Sequence, residues 1–598
     1  MSVLRGSGKE ERGCSRRKTM LKEKLVSVQR PQESARPRLP LWNVLCSTLV
    51  LGIAAAWAAP LLAAPARVTA PDGTFEGKFD TTGTMREFLG IRYAQPVTGN
   101  LRWKAPQPVR PSVATQDATQ FGNHCPQTAG AYGNPTSTED CLFLNVFAPN
   151  SNGDHDRGRG NDDKDAHPVM VWIHGGSLVV GESDIYDASK LVQRGVVVVT
   201  INYRLGALGF LAHPALTGDS PDHVSGNYGI QDQQAALKWV RRNIRAFGGD
   251  PDKVTIFGES AGGLSTFVNL VSPTAHGLFH RAIVESGAYM QTQPTLAQTE
   301  ARGARFAAAV GCNQPNPTDV LTCLRGLSVS TILANQSLTL LGSGAPPNVD
   351  GKVLTQSVGA ALASGQFNRV PLMNGTNRDE WRLFVGSGFD LAGGPVTAAT
   401  YVSAIAATIG NAAAAPQVAS HYQVPAQFPS FDHAVGAVGT DTNYACPARF
   451  VDELASQFVA TFAYEFNDEN APQNFLPPMS IPYGSSHASE IQYLFPVANP
   501  SGFGLNLPQT PLDANQHKLS DRMVGYWTEF ARGGDPNGHG QPHWPRFRRN
   551  HQVYLSLVPP SPITVTNFET AHQCDFWDTL TGRTLPPGGG HDQHADND

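Results

Sequence analysis

Gly258-Glu259-Ser260-Ala261-Gly262 is a G-x-S-x-G pentapeptide, the pattern of a serine prepared to attack a carbonyl carbon. The pentapeptide recurs by chance, and its setting gives it weight. It follows the apolar strand candidate Val254-Thr255-Ile256-Phe257 directly and precedes a helical segment, Leu264 to Val271. In a strand, tight turn and helix of this kind the serine is forced to the top of the sheet, beside a helix N-terminus that favours negative charge. The turn needs residues without bulk two before and two after the serine, and Gly258 and Gly262 supply them. The plain alternative is a serine that only caps a helix after a buried strand. A serine hydroxyl is a poor nucleophile unaided. It needs a base within hydrogen-bond reach, a third group to fix the base, and donors for the oxyanion of the tetrahedral intermediate. His174-Gly175-Gly176-Ser177 ends another strand candidate, Val169 to Ile173. A Gly-rich turn there can aim backbone N–H groups at a substrate oxygen, and the N–H of Ala261 is a further donor. His174 itself reads as a hydrogen bonder that steadies the turn. The chemistry is acyl transfer through a serine, which calls for no metal or cofactor.

These groups need a frame. Val169-Met170-Val171-Trp172-Ile173, Val196 to Ile201, Val254 to Phe257 and Ala282-Ile283-Val284 are continuous apolar runs. Runs apolar on both faces suit strands in the middle of a parallel sheet covered by helices. Between them Gly229 to Phe247 places Ala235, Leu237, Trp239, Val240 and Ile244 as an amphipathic helix, ended by Gly248-Gly249. Strand and helix alternation predicts an α/β fold with right-handed crossovers. Earlier strands are expected between Arg67 and Pro111 and over Cys141 to Phe147. Later ones are expected over Val370 to Met373, Phe458 to Phe466 and Val553 to Leu557. The stretch from 290 to 365 reads as helices with Gly and Pro breaks, and 390–450 as Ala-rich helical insertions over the sheet.

The chain has 598 residues and a formal net charge of −5, with no basic stripe in its body, so nucleic-acid binding has no electrostatic support. Residues 1–38 carry eleven Lys or Arg and four Glu, and an apolar run from Leu45 through Ala64 follows. This reads as an export signal with a long basic leader. Ala56-Trp57-Ala58 or Ala63-Ala64 would be the cleavage site, and Met20 an alternative start. An uncleaved anchor is the other reading, since the run approaches spanning length. Of eight cysteines, Cys14 and Cys46 lie in this leader. Six remain, an even number, as an exported protein with three disulfides would have. Residues 151–166 read as a solvated loop without the ligand spacing of a calcium site. The tail from Pro586, with His591 and His594, reads as disordered. The organisation expected is a leader over 1–64, one catalytic domain over 65–582 and a tail over 583–598.

Further segments carry a resemblance. Phe88-Leu89-Gly90-Ile91, Gly99-Asn100-Leu101-Arg102-Trp103, Glu139 to Val146, Asn202 to Gly206, Gly258 to Gly263 and Gln573 to Trp577 resemble the type-B carboxylesterases, the group that includes cholinesterases and bacterial para-nitrobenzyl esterases. The match spans about residue 67 to 580. It implies an α/β-hydrolase fold, a central mostly parallel sheet flanked by helices, with helical insertions over the active-site face. It also implies a triad in the chain order Ser, Glu, His. The Glu matches Glu380 in Asn374-Gly375-Thr376-Asn377-Arg378-Asp379-Glu380, although Trp381 stands where the family often has Gly. Asp379 is the alternative. The base matches His487 in Ser485 to Phe495, with His517 as its rival in a helical segment from Leu512 to Arg532. The resemblance implies oxyanion donors at Gly176, Ser177 and Ala261. It implies the disulfides Cys125 with Cys141, Cys312 with Cys323, and Cys446 with Cys574, and the buried ion pairs Arg102 with Glu139 and Arg204 with Asp232. Glu259 is expected to be a buried neighbour of the nucleophile and not the triad acid.

The resemblance implies a small-molecule ester as substrate, and the leader, if left uncleaved, is the one expected point of membrane contact. Cholinesterases hold a quaternary ammonium with a Trp in the first disulfide loop. Here that loop, Pro126 to Asp140, has only Tyr132, so aliphatic or aryl esters fit better than choline esters. A thioesterase or acyltransferase would use the same residues. A lipase working at a lipid interface is a further reading. A non-catalytic adhesion module of the same superfamily would lack a triad member, and this chain has all three.

Overall fold

Val169, Val171 and Ile173 point to one side of their strand and Met170 and Trp172 to the other, and all five are fully buried. The two sets belong to separate apolar clusters, so this strand has a core on each face. The computed structural model describes residues 65–129, 133–150, 166–342, 344–474, 476–496 and 510–585. The leader, Tyr132, the polar loop from 151 to 165 and the tail beyond 585 lie outside them.

Among the described residues thirteen strands form one sheet. They are β1 (Ala66–Ala70), β2 (Gly73–Phe79), β3 (Met85–Arg92), β4 (Thr115–Asp117), β5 (Phe143–Pro149), β6 (His167–Ile173), β7 (Val197–Ile201), β8 (Gly249–Glu259), β9 (Arg281–Glu285), β10 (Leu372–Asn377), β11 (Thr461–Phe466), β12 (Tyr554–Leu557) and β13 (Ile563–Val565). The order is β1-β2-β3-β5-β7-β6-β8-β9-β10-β11-β12-β13, with β4 beside β2. From β7 to β12 every pairing is parallel, while β13 at one end and β1, β2, β3 and β5 at the other pair antiparallel, and β4 lies parallel to β2. This is the mostly parallel sheet with flanking helices of an α/β-hydrolase fold.

Element limits differ from expectation for local reasons. The strand expected from Val370 begins at Leu372, because Pro371 has no N–H to give to a neighbour. The strand expected from Phe458 begins at Thr461, because the Ala455 carbonyl takes the N–H groups of Phe458 and Val459 and closes a turn. The helix expected from Leu512 runs Ala514–Gly533, because Asp513 caps it and Gln516 returns a hydrogen bond to the Asp513 N–H. The amphipathic helix is Tyr228–Asn243, continued by a 3₁₀ turn to Phe247, and Gly248 at φ 94° ends it. Trp239 and Phe247 pack with Phe75 on one face of the sheet.

The Ala-rich insertion folds as helices Tyr401–Ile409, Ala415–His421, Phe431–Thr440 and Cys446–Ala455. Most of it buries a separate apolar cluster with Val385, Tyr422 and Trp577. Three disulfides join Cys125 to Cys141, Cys312 to Cys323 and Cys446 to Cys574. The last fastens the helix Cys574–Thr581 to this insertion. Arg102 lies 2.8 Å from Glu139 and Arg204 2.7 Å from Asp232, all four side chains being nearly or wholly buried.

Candidate active site

β8, β10 and β11 run in one direction and lie side by side with β9, so their C-terminal ends share one edge of the sheet. A ligand crevice of an open parallel sheet opens at that edge. Ser260 follows β8, Glu380 lies three residues beyond β10, and His487 is carried by the loop after β11.

The turn at Ser260 is tight. Ser260 has φ 55° and ψ −118° and stands before the helix Ala261–Val271, a conformation an L-residue adopts only when its surroundings hold it. A Cβ at Gly262 would stand 1.8 Å from the Ile173 carbonyl oxygen, and one at Gly258 would stand 2.4 Å from it. The glycines are therefore the condition for packing β8 and its helix against β6. The Ser260 N–H donates to the Glu285 carbonyl at 2.9 Å, which ties the elbow to β9.

Glu380 and His487 meet directly. His487 Nδ1 lies 2.6 Å from Glu380 Oε2. Glu380 Oε1 accepts from Thr376 Oγ1 at 2.7 Å, from the Asn377 N–H at 2.8 Å and from Ser286 Oγ. Both side chains are buried. A carboxylate held by three other donors can fix an imidazole in one tautomer and orientation.

The other ring nitrogen faces the elbow. His487 Nε2 stands 3.2 Å from Glu259 Oε1, on the residue before Ser260. No hydrogen bond joins Ser260 Oγ to His487 among the described residues. Burial alone would lower the His487 pKa, but the charges of Glu259 and Glu380 outweigh it and hold the imidazole above its ordinary range. Burial pushes the carboxyls of Glu259, Glu285 and Glu490 upward. The imidazole ring packs against Phe384 and Tyr444, with centroids 5.2 and 5.0 Å away, and those two rings stack on each other at 6.2 Å.

The glycine turn lies beyond β6. Gly176 has φ 96°, and Ser177 and Leu178 have φ 56° and 59°. The Ser177 carbonyl accepts from the Ala345 N–H at 3.1 Å and the Leu178 carbonyl from the Gly206 N–H at 2.7 Å. Those bonds hold a loop that would otherwise relax from its left-handed geometry. Among the described residues the N–H groups of Gly176, Ser177 and Ala261 make no hydrogen bond to protein.

The remaining histidines take other places. His174 is stacked on Tyr203 at 4.4 Å, its Nδ1 lies 2.9 Å from the Gly175 carbonyl, and burial lowers its pKa to about 4. His517 lies exposed on the helix Ala514–Gly533. Asp379 points to Arg378, Arg382 and the Ser485 N–H, and not to His487. His124 Nδ1 lies 2.8 Å from Glu182 Oε2 and 3.7 Å from Asp184 Oδ1, a trio of metal-ligand composition. Glu182 also accepts from the Asn134 N–H and Nδ2, and the three read as an ion-pair cluster.

Ser286, Thr376 and Asn377 were not singled out from the sequence. Thr376 and Asn377 stand in the same segment as Glu380, where a carboxylate reaching back three or four residues finds them. Ser286 ends the run Ala282-Ile283-Val284-Glu285, and only the placing of β9 between β8 and β10 brings it to Glu380.

The model of the carboxylesterase family matches residues 64–577. The chain is 33% identical over 525 residues to a fumonisin B1 esterase of Sphingopyxis macrogoltabida, covering 86% of this chain and 89% of that protein. It is 33% identical over 525 residues to a human cocaine esterase, covering 82% and 87%. It is 34% identical over 534 residues to an acylcarnitine hydrolase of Mus musculus, covering 85% and 88%. With a match of this extent and an elbow, a glycine turn and a Glu–His pair gathered at one sheet edge, the chain belongs to the carboxylesterase family.

Proposed function

We propose that this carboxylesterase cleaves aliphatic or aryl esters through an acyl-serine intermediate, with Ser260 as nucleophile, His487 as general base and Glu380 as the group that holds the base. The observation that carries this reading is the 2.6 Å bond from His487 Nδ1 to Glu380, made by a ring whose Nε2 is turned toward the residue beside Ser260.

Ser260 Oγ attacks the ester carbonyl carbon and its proton passes to His487 Nε2, which exchanges Glu259 for the hydroxyl on the next residue. Hydrogen bonds of this kind commonly tighten only when substrate is bound. The carbonyl electron pair moves onto oxygen, which the N–H groups of Gly176, Ser177 and Ala261 receive. Collapse breaks the bond to the alkoxy oxygen, which leaves as alcohol with the proton from His487. Water then attacks the acyl-serine, gives its proton to His487, and releases the acid and free Ser260.

The relatives are named for esters of unlike acyl and alcohol parts. Together with a first disulfide loop that has no Trp, this supports a broad ester preference over a choline ester. The basic leader with its apolar run and the three disulfides support export. Among the described residues no helix is long and apolar enough to cross a membrane.

The test is a series of para-nitrophenyl esters of increasing acyl length, run on the wild type and Ser260→Ala. The variant is expected to lose on the order of 10⁵–10⁶-fold in kcat. Equal rates in the two proteins would sink the assignment. The mass of the mature N-terminus tests export: a chain beginning near Ala58 or Ala64 is expected, and a full-length chain in the membrane fraction would favour the anchor.

A further inference from the structure

The loops that carry the acid and the base face each other over 377–382 and 482–487. Main-chain bonds join them: the Asp379 N–H donates to the Ser485 carbonyl at 3.0 Å and the His487 N–H to the Glu380 carbonyl at 3.2 Å. Asn377 Nδ2 donates to the Ser486 carbonyl at 2.9 Å. Two charged side chains, Asp379 and Arg382, bridge this seam. Asp379 Oδ2 accepts from the Ser485 N–H at 3.0 Å and pairs with Arg378, while Oδ1 pairs with Arg382 at 2.8 Å. The Arg382 guanidinium donates in turn to the Pro482 carbonyl at 3.2 Å. Asp379 is only 7% exposed. Gly484 is held at φ 63°, and a Cβ there would stand 2.3 Å from Asp379 Oδ2, so the base loop is built to admit this carboxylate.

On its other side the acid loop borders a cavity. Arg378, Asp379 and Arg382 line this space of about 470 Å³, which reaches Glu465 and His572. The contacts that join the two loops are these hydrogen bonds, and they set the register of one loop on the other.

We propose that Asp379 is a positioning residue for catalysis: its carboxylate fixes the height of the base loop over the acid loop, and so the meeting of His487 with Glu380. The proposal rests on the triad reading above. It touches no reacting atom and acts only through the orientation of the imidazole. A shift of the base by about 1 Å typically costs about 100-fold in rate.

The experiment uses the full chain and a para-nitrophenyl ester. Asp379→Ala is expected to lower kcat by about 100-fold with KM within about threefold of wild type. The acidic limb of its pH profile is expected to move to lower pH, since an imidazole drawn away from Glu380 loses a neighbour that favours its charged form. Asp379→Asn keeps an oxygen for the Ser485 N–H and is expected to recover most of kcat. Gly484→Ala keeps every charge, crowds the carboxylate and is expected to reproduce the kcat loss, which provides the reading if Asp379→Ala does not fold. Wild-type kcat and pH profile in Asp379→Ala would overturn the proposal, as would Asp379→Asn falling as far as Ala. Labelling by a phosphonate ester separates the two levels: Ser260→Ala must abolish the adduct, whereas Asp379→Ala must form it at Ser260, only more slowly. Labelling that survives in Ser260→Ala would instead bring down the triad reading itself.

Discussion

On the proposed triad, a carboxyl group immediately before Ser260 shapes the behaviour of His487. Glu259 is 3% exposed and its Oε1 is 3.2 Å from His487 Nε2. While it carries charge it favours the protonated imidazole, the form that cannot take the Ser260 proton. Burial favours its neutral form, so the pair holds a proton that neither group would keep alone in water. The proposed mechanism needs His487 neutral, so kcat/KM is expected to rise with pH and reach half its plateau above pH 7, because the pKa is raised. Glu259→Gln removes the charge that raises it, and the rise is expected to move by about 1 unit toward acid. A pH profile of kcat/KM for the two proteins checks this, and superposed limbs would show that Glu259 is uncharged throughout. Glu380 differs from its acidic neighbours in having four donors around it, which suits it to the fixed role and Glu259 to the variable one.

At the scale of elements, the elbow is the part that local sequence describes best. An apolar strand, a glycine on each side of a serine and a helix are contiguous, and the strain at Ser260 follows from backbone that must pass within reach of the Ile173 carbonyl. Gly262→Ala would put a methyl group 1.8 Å from that oxygen. It is expected to destabilise the protein by about 3 kcal/mol, at the upper end of ordinary overpacking. Gly218→Ala, which meets nothing within 4 Å in the helix Pro214–Asp219, is expected to cost nothing. Urea unfolding of both variants checks this; equal midpoints would mean that β6 can yield. The pairing of Glu380 with His487 was less accessible, since 107 positions separate them and many histidines follow the acid; only the resemblance of their surrounding segments selected them. Ser286 and the Asp379 seam were not accessible, because they depend on which strands are neighbours and on how two loops face. Hydrophobic periodicity marks strands and helices but carries no information on strand order.

At the scale of the whole molecule, the C-terminal segment is fastened to the sheet by more than its disulfide. Cys446 and Cys574 are 128 positions apart in the chain, and two positions before Cys574 His572 is buried between two carboxylates, with Nδ1 2.6 Å from Asp441 Oδ1 and Nε2 2.7 Å from Glu465 Oε1. Asp441 belongs to the helical insertion and Glu465 to β11, where it stands opposite Thr376 of β10. One imidazolium therefore joins the segment before Cys574, the insertion and the sheet close to Glu380. Burial alone would lower its pKa, but hydrogen bonds to Asp441 and Glu465 push it up to about 10, from 6.5. A folded-state pKa above the unfolded one stabilises the fold fully below the unfolded value, and that stabilisation fades as pH rises through the folded value. The expected result is that His572→Gln is less stable than wild type by its full margin near pH 6.5, and that the margin narrows steadily as pH approaches about 10. Urea unfolding of both proteins across that window measures it. A margin that stays constant would mean that His572 is neutral in the folded protein and that the three elements are joined by packing and the Cys446–Cys574 bond alone.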